Sequence, residues 1–468
     1  MPDRNTDFYQ KIAKRAIVLF LIIFCGLTVS AQESLSYNRA AWHSSSVDYD
    51  HTAHLATDGD LATSWISKPG DHEWIYIDLG NKCKISGIKI YWGSHFAETF
   101  EILVSESGGP NNPLNWKKIS NGKAESGSVQ TLKVNSSARY IKLQCTKSSS
   151  GQGMAIREFE ITGSGRILKS PATLPDAGNE RMLSLSDNQW ETQRSSFVTA
   201  KGEEISGTDF TDSNWLPASV PATVLANYIA AGAVPDPLYG DNQLQVSDWF
   251  FTSNFWYRRV FTVPENFKNK KIRLYFKGIN WKADVYVNGT FIGIINGAFT
   301  RADFDITKLV KPGSKCAVAV LIHKNDNPGE VTEQHLCDPD GNGGIIGLDS
   351  PTYMAGIGWN WVPTIRGRNT GITDDVYLSA SGEVTFANPL ITTKLNLPDT
   401  SKADFEVAVD VKNNSNISVT GSLRISCTYF TIEIPVSLSP NESKMVKADK
   451  SAFEKMSVYN PKLWWPNG

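Results

Sequence analysis

The sequence predicts an all-β chain assembled from consecutive sandwiches, and three observations lead there. Short alternating apolar and polar runs, bounded by Gly, Asn, Pro and Ser, recur along the chain, while the 3.6-residue period of amphipathic helices is almost absent. Ile88, Ile90 and Trp92 share one strand face, Ile272, Leu274 and Phe276 a second, and Val407, Val409 and Val411 a third. The string VYVNGTFIG places Asn288 and Gly289 where a two-residue hairpin turn needs two left-handed residues. One helix is expected, Val224 to Ala231, ended by Gly232 and Pro235.

Composition bounds the function. Of 468 residues, 46 are Lys or Arg and 48 Asp or Glu, a formal charge of -2, so no basic surplus exists to hold a phosphate backbone and nucleic acid is not an expected partner. The 36 Gly and 22 Pro fit a turn-rich folded chain, and the 14 Trp suit sandwich cores or stacking on sugar rings.

Lys11, Lys14 and Arg15 precede an apolar run from Ala16 to Leu27, and Val29, Ser30 and Ala31 supply the small residues a signal peptidase reads. Residues 1–31 are therefore expected to be a signal peptide, the protein exported to the periplasm or outside the cell, and the mature chain free of a membrane span. Cys83, Cys145, Cys316, Cys337 and Cys427 then remain, an odd set at wide spacings that makes neither a disulfide framework nor a zinc site. Boundaries follow from the Gly, Ser and Pro-rich stretch at 164–180, expected as a linker, and from a break near Ser379 to Gly382. Sandwich domains are thus expected at 35–163, 181–380 and 382–468.

In the first domain, ATDGDLATSW at 56–65, WIYIDLG at 74–80 and MAIREFEITG at 154–163 resemble, in order and spacing, the discoidin or factor 5/8 type C fold, with its bacterial carbohydrate-binding relatives of module family 32. Asp58, Asp60 and Thr63 gather hard oxygens around a Gly turn, as a calcium ion requires; a polar turn whose carboxylates cap backbone amides is the alternative. The resemblance implies a structural calcium and adds Glu158 with the carbonyls of Leu55 and Arg157. Tyr49, His72, His95 and Phe96 are candidates for sugar binding on loops at one end of the sandwich, whereas Trp65, Trp74 and Trp92 fall inside alternating strands and are expected in the core.

In the second domain, the strings at 215–243, 255–264, 278–293 and 356–378 resemble the galactose-binding-like jelly roll that opens glycoside hydrolase family 2, in its β-mannosidase and exo-β-glucosaminidase-like branches. Residues 382–468 alternate as an immunoglobulin-like sandwich and finish KLWWPNG, as that family does before its catalytic barrel. The expected protein is the non-catalytic half of an exported β-glycosidase that binds poly- or oligosaccharide. The family's chemistry uses two glutamates about 5 to 5.5 Å apart in a (β/α)₈ barrel, expected in cis and outside this chain, so no catalytic residue is assigned. Asn179–Glu180 and Asn441–Glu442 match the acid/base dipeptide but lie in loops. The resemblance implies a substrate subsite at Trp359, Asn360 and Trp361, with Asp241 and Asn242 on its rim; packing of the two indoles in a core is the alternative. Asn360 stands where the mannosidases carry Asp, and Thr373 where Trp is usual, so the sugar stays unassigned. A secreted, non-catalytic carbohydrate-binding or adhesion protein is the rival class.

Overall fold

The computed structural model describes residues 33–149, 151–167, 181–211, 214–331, 344–345, 349 and 366–464. The chain is all-β, with antiparallel sheets built as sandwiches and a few short helices. It divides into two compact units, Met1–Lys169 with Ala231–Phe250, and Ser170–Ala230 with Phe251–Gly468. Among the described residues no helix is long and apolar enough to cross a membrane.

The first unit is built on two long strands, Trp74–Trp92 and Val129–Ser148, paired antiparallel. Their ladder shifts register between Asp78 and Cys83 and again between Ile85 and Gly87, so each strand bends as it runs through the sandwich. Ala155–Ser164 pairs on the far side of Trp74–Trp92, and Ala97–Ser105 on the far side of Val129–Ser148. Alternation then decides what is covered: Ile75, Ile77, Ile88, Ile90 and Trp92 point into one core with Trp65, Phe100 and Phe159. At the start of Trp74–Trp92 the short strand Ala41–His43 pairs antiparallel, with Trp42 opposite Tyr76.

In the second unit, Phe255–Thr262 lies between Trp190–Arg194 and Lys315–His323 in a six-stranded sheet. It faces a four-stranded sheet containing the expected face Ile272, Leu274 and Phe276, all buried. The expected turn forms between Lys282–Val287 and Thr290–Asn296, with Asn288 at φ 46° and Gly289 at φ 80°. The expected helix forms as Val224–Ala230; its Asn227 accepts from the Ser219 amide (2.8 Å) and donates to the Tyr257 hydroxyl (3.2 Å), which ties it to the sheet. Val384–Asn396, Asp399–Asn413 and Ser443–Ala448 make the main sheet of the immunoglobulin-like part, opposite the hairpin Val419–Ser426 and Thr431–Leu438. Val407, Val409 and Val411 are buried between them as their alternation requires.

Candidate functional site: an aromatic cleft and a carboxylate cluster

On the outer face of the first unit, a row of side chains runs across three strands: Trp42 is registered with Tyr76, and Tyr76 with Lys142. Trp74, two residues along from Tyr76, necessarily shares that face. The rings stack in series, Trp42 on Tyr76 at 5.1 Å between centroids and Trp74 on Tyr76 at 5.4 Å, while Trp116 tilts against Tyr76 at 5.8 Å. Trp42 and Tyr76 are buried by the stack; Trp74 and Trp116 keep half-exposed faces. The ammonium of Lys142 lies 5.7 Å from the Trp74 ring centroid and 5.0 Å from that of Trp116. Burial lowers its pKa from the ordinary lysine value.

The remaining wall comes from the segment Ala231–Phe250 of the same unit. Asn242, at the start of the 3-10 turn Asn242–Gln245, accepts from the Trp42 indole nitrogen (3.0 Å) and donates to Asn111 Oδ1 (2.8 Å) and to the Asp236 carbonyl (2.9 Å). Gln245 accepts from the His43 amide at 3.0 Å. Further along, the Asp248 amide donates to the Tyr49 carbonyl, and Phe250 meets His54 edge-on at 4.6 Å. These walls enclose about 380 Å³, a volume in the range of ligand clefts. His43, which also lines the cleft, is 7% exposed and has both ring nitrogens without a partner; burial lowers its pKa to about 3, so it is neutral.

A second cluster lies in the same unit. Thr63 Oγ1 is 2.9 Å from Asp58 Oδ2, 2.9 Å from the Asp60 carbonyl and 3.4 Å from the Leu55 carbonyl. Asp58 and Asp60 also accept backbone amides two residues on, as the polar-turn alternative expects. Glu158 joins the same turn from a distant strand. A register shift between Ile156 and Glu158 leaves Arg157 outside the ladder, and Glu158, 7% exposed, accepts from the Gly59 amide at 3.2 Å across 99 residues of sequence. Burial, and next Asp58, push the Glu158 carboxyl well above the usual range. Two buried carboxylates, a hydroxyl and main-chain carbonyls form an all-oxygen donor set that fits a hard divalent cation. Among the described residues no three acidic, His or Cys side chains form a metal cluster, so carbonyls and the Thr63 hydroxyl would have to complete the set.

The other candidates disperse. Tyr49 is half-buried and its carbonyl is used by Asp248; His72 is exposed at φ 66°, and its carbonyl accepts from Gln144. His95 is half-buried and accepts from the Ala155 amide, and Phe96 packs against the core. Asp241 is exposed and lines the aromatic cleft, whereas Asn242 is 4% exposed with its amide committed to Trp42, Asn111 and Asp236. Trp65 and Trp92 are core, but Trp74, expected there too, is on the cleft face. Trp359, Asn360 and Trp361 lie outside the described residues, as does Glu180. Glu442 serves a turn, accepting from the Ser439 amide at 2.7 Å. Among the described residues, Cys145, Cys316 and Cys427 form no disulfide. Trp42, Trp116 and Lys142 carried no signal of their own in the sequence.

Fold and site together define a chain of β-sandwich modules whose first member carries a stacked-aromatic cleft. Residues 40–159 match the F5/8 type C domain, 196–374 the glycosyl hydrolase 2 galactose-binding domain-like model, and 384–468 the model of glycosyl hydrolases family 2. The chain therefore carries N-terminal domains of glycoside hydrolase family 2 behind an F5/8 type C domain. It is 32% identical over 304 residues to a mannosylglycoprotein endo-β-mannosidase of Lilium longiflorum, a match covering 60% of this chain and 30% of that protein. It is 29% identical over 280 residues to an exo-β-D-glucosaminidase of Streptomyces avermitilis, covering 59% of this chain and 28% of the relative. The solved exo-chitosanase of Amycolatopsis orientalis superposes with a TM-score of 0.49 at 27% identity, over 62% of this chain and 30% of that one. The chain thus spans less than a third of the length of these relatives.

Proposed function

We propose that this chain is the non-catalytic N-terminal part of an exported family 2 β-glycosidase of the β-mannosidase or exo-β-glucosaminidase kind, and that its first module holds saccharide. The cleft of Trp42, Trp74, Tyr76 and Trp116 carries this proposal. Half-exposed indole faces stack on the apolar face of a pyranose, and nearby amides such as Asn112 and Gln245 pair with its hydroxyls. The basic, apolar and small-residue pattern of residues 11–31 supports export. The strings at 356–378 support a contribution of Trp359, Asn360 and Trp361 to the substrate subsite of a barrel in cis.

Calcium belongs to the same proposal. Asp58, Asp60, Thr63 and Glu158, with the carbonyls of Leu55 and Arg157, would hold it, and the ion would neutralise buried carboxylates and cross-link two distant parts of the module. The test of the whole is binding without turnover. Residues 1–468 are expected to bind oligosaccharides in calorimetry, to lose that binding in Trp74→Ala, and to release no nitrophenol from aryl β-glycosides. Turnover abolished by a substitution within this chain would refute the non-catalytic assignment.

A further inference from the structure

We infer that the aromatic cleft selects an acidic saccharide, a pyranose chain bearing carboxylate or sulfate, whose anionic group is held by Lys142; this rests on the saccharide-binding proposal above. Lys142 is fixed by register, opposite Tyr76 in the ladder, so its ammonium is carried into the cleft rather than reaching it by chance from a loop. It lies over two indoles, and among the described residues it makes no ion pair. Ring faces steer and hold a cation but do not neutralise it. A half-buried, unpaired ammonium has lost part of its hydration, which agrees with the downward shift of its pKa. A ligand anion restores that interaction in an environment where charges act roughly fourfold more strongly than in bulk water.

The cleft also contains an opposing charge, which makes the inference decidable. Asp241 would attract a cationic amino sugar, but it is exposed, and a solvated carboxylate is screened where the half-buried Lys142 is not. Asn242 cannot contribute to selection, because its amide is already bonded to Trp42, Asn111 and Asp236; it positions the wall. Stacking on Trp74 and Trp116 is common to all pyranoses. Charge at Lys142 is therefore what distinguishes among them.

The experiment is calorimetric titration of the full chain with four tetrasaccharides: a β-linked mannuronate, a sulfated galactan, mannotetraose and chitosan tetraose. At least one acidic ligand is expected to bind about tenfold more tightly than mannotetraose, the worth of one charge-assisted hydrogen bond. Which acidic ligand is tighter distinguishes a carboxylate from a sulfate source. Lys142→Met should erase the acidic preference, lowering the affinity for the acidic ligands about tenfold relative to mannotetraose measured on the same variant; Lys142→Arg should keep the preference, and added salt should weaken only the acidic ligands. Chitosan binding tightest, lost in Asp241→Asn and unaffected by Lys142→Met, would overturn the inference while leaving saccharide binding intact. An acidic affinity unchanged in a folded Lys142→Met protein would overturn it equally. If none of the four binds, and Trp74→Ala titrates like the unaltered protein, the saccharide-binding proposal itself fails.

Discussion

His43 offers a quantitative test of the packing around the cleft. Its imidazole stacks on Trp65 at 6.3 Å with an interplanar angle of 11°, is 7% exposed, and has neither ring nitrogen bonded. Burial lowers its pKa from 6.5 to about 3. The unfolded chain therefore takes up a proton near pH 6.5 that the folded chain refuses until near pH 3. Between those values the unfolded state holds more protons, so stability rises with pH; the contribution is complete above pH 6.5 and is lost as pH falls. At pH 5, about 1.5 units below the unfolded pKa, the penalty is about 2 kcal/mol at roughly 1.4 kcal/mol per unit. His43→Phe keeps a flat ring against Trp65 and removes the titration. Urea unfolding of both proteins at pH 7.5 and pH 5 should show the unaltered chain losing about 2 kcal/mol more than the variant on acidification. Parallel losses in the two proteins would refute a buried neutral imidazole at this position.

Three further outcomes are expected. Chelation should lower the melting temperature of the first unit, with saturating calcium at a hundred times its Kd worth about 2.7 kcal/mol, and Asp58→Ala should remove the response; an unchanged melting temperature in both cases favours the polar turn. Asn242→Ala leaves the Trp42 indole N–H without its acceptor and Asn111 Oδ1 without its donor and should cost about 1–3 kcal/mol in denaturant unfolding, more than Asp241→Ala, whose side chain is exposed. Asp187→Ala strands the Arg259 guanidinium, 9% exposed and bonded through two nitrogens, and should destabilise the second unit by roughly 2–3 kcal/mol, below the value for a fully buried pair because Asp187 is 22% exposed.

Sheet faces with one apolar side were legible from the sequence. Ile272, Leu274 and Phe276 alternate with Lys271, Arg273 and Tyr275, and Val407, Val409 and Val411 with Glu406, the small Ala408, Asp410 and Lys412, so the larger apolar parity is the one buried. The Asn288–Gly289 turn was equally plain, because few other pairs tolerate two positive φ values. WIYIDLG was not, since Ile75 and Ile77 on one face and Trp74 and Tyr76 on the other are all apolar, and alternation cannot say which set meets the core. The cleft also joins residues whose nearness is set by register and packing alone: Trp42 and Asn242 meet across 200 residues. The carboxylate cluster was only half legible, for Asp58, Asp60 and Thr63 are local, while Glu158 arrives through a displaced register no local pattern encodes.

That the segment Ala231–Phe250 belongs to the first unit has a consequence during synthesis. The first module emerges from the ribosome before the residues that cover Trp42, His43 and His54 exist. At about 5–20 residues per second, the roughly 80 residues between Ile167 and Phe250 take on the order of 4 to 16 s to appear. Throughout that interval the nascent module presents a bare aromatic face, with the Ala40 amide awaiting the Gly232 carbonyl that is its partner in the finished fold. The vulnerable species in production of this protein is thus a nascent chain that already contains the whole discoidin-like sandwich and has not yet received its covering strap.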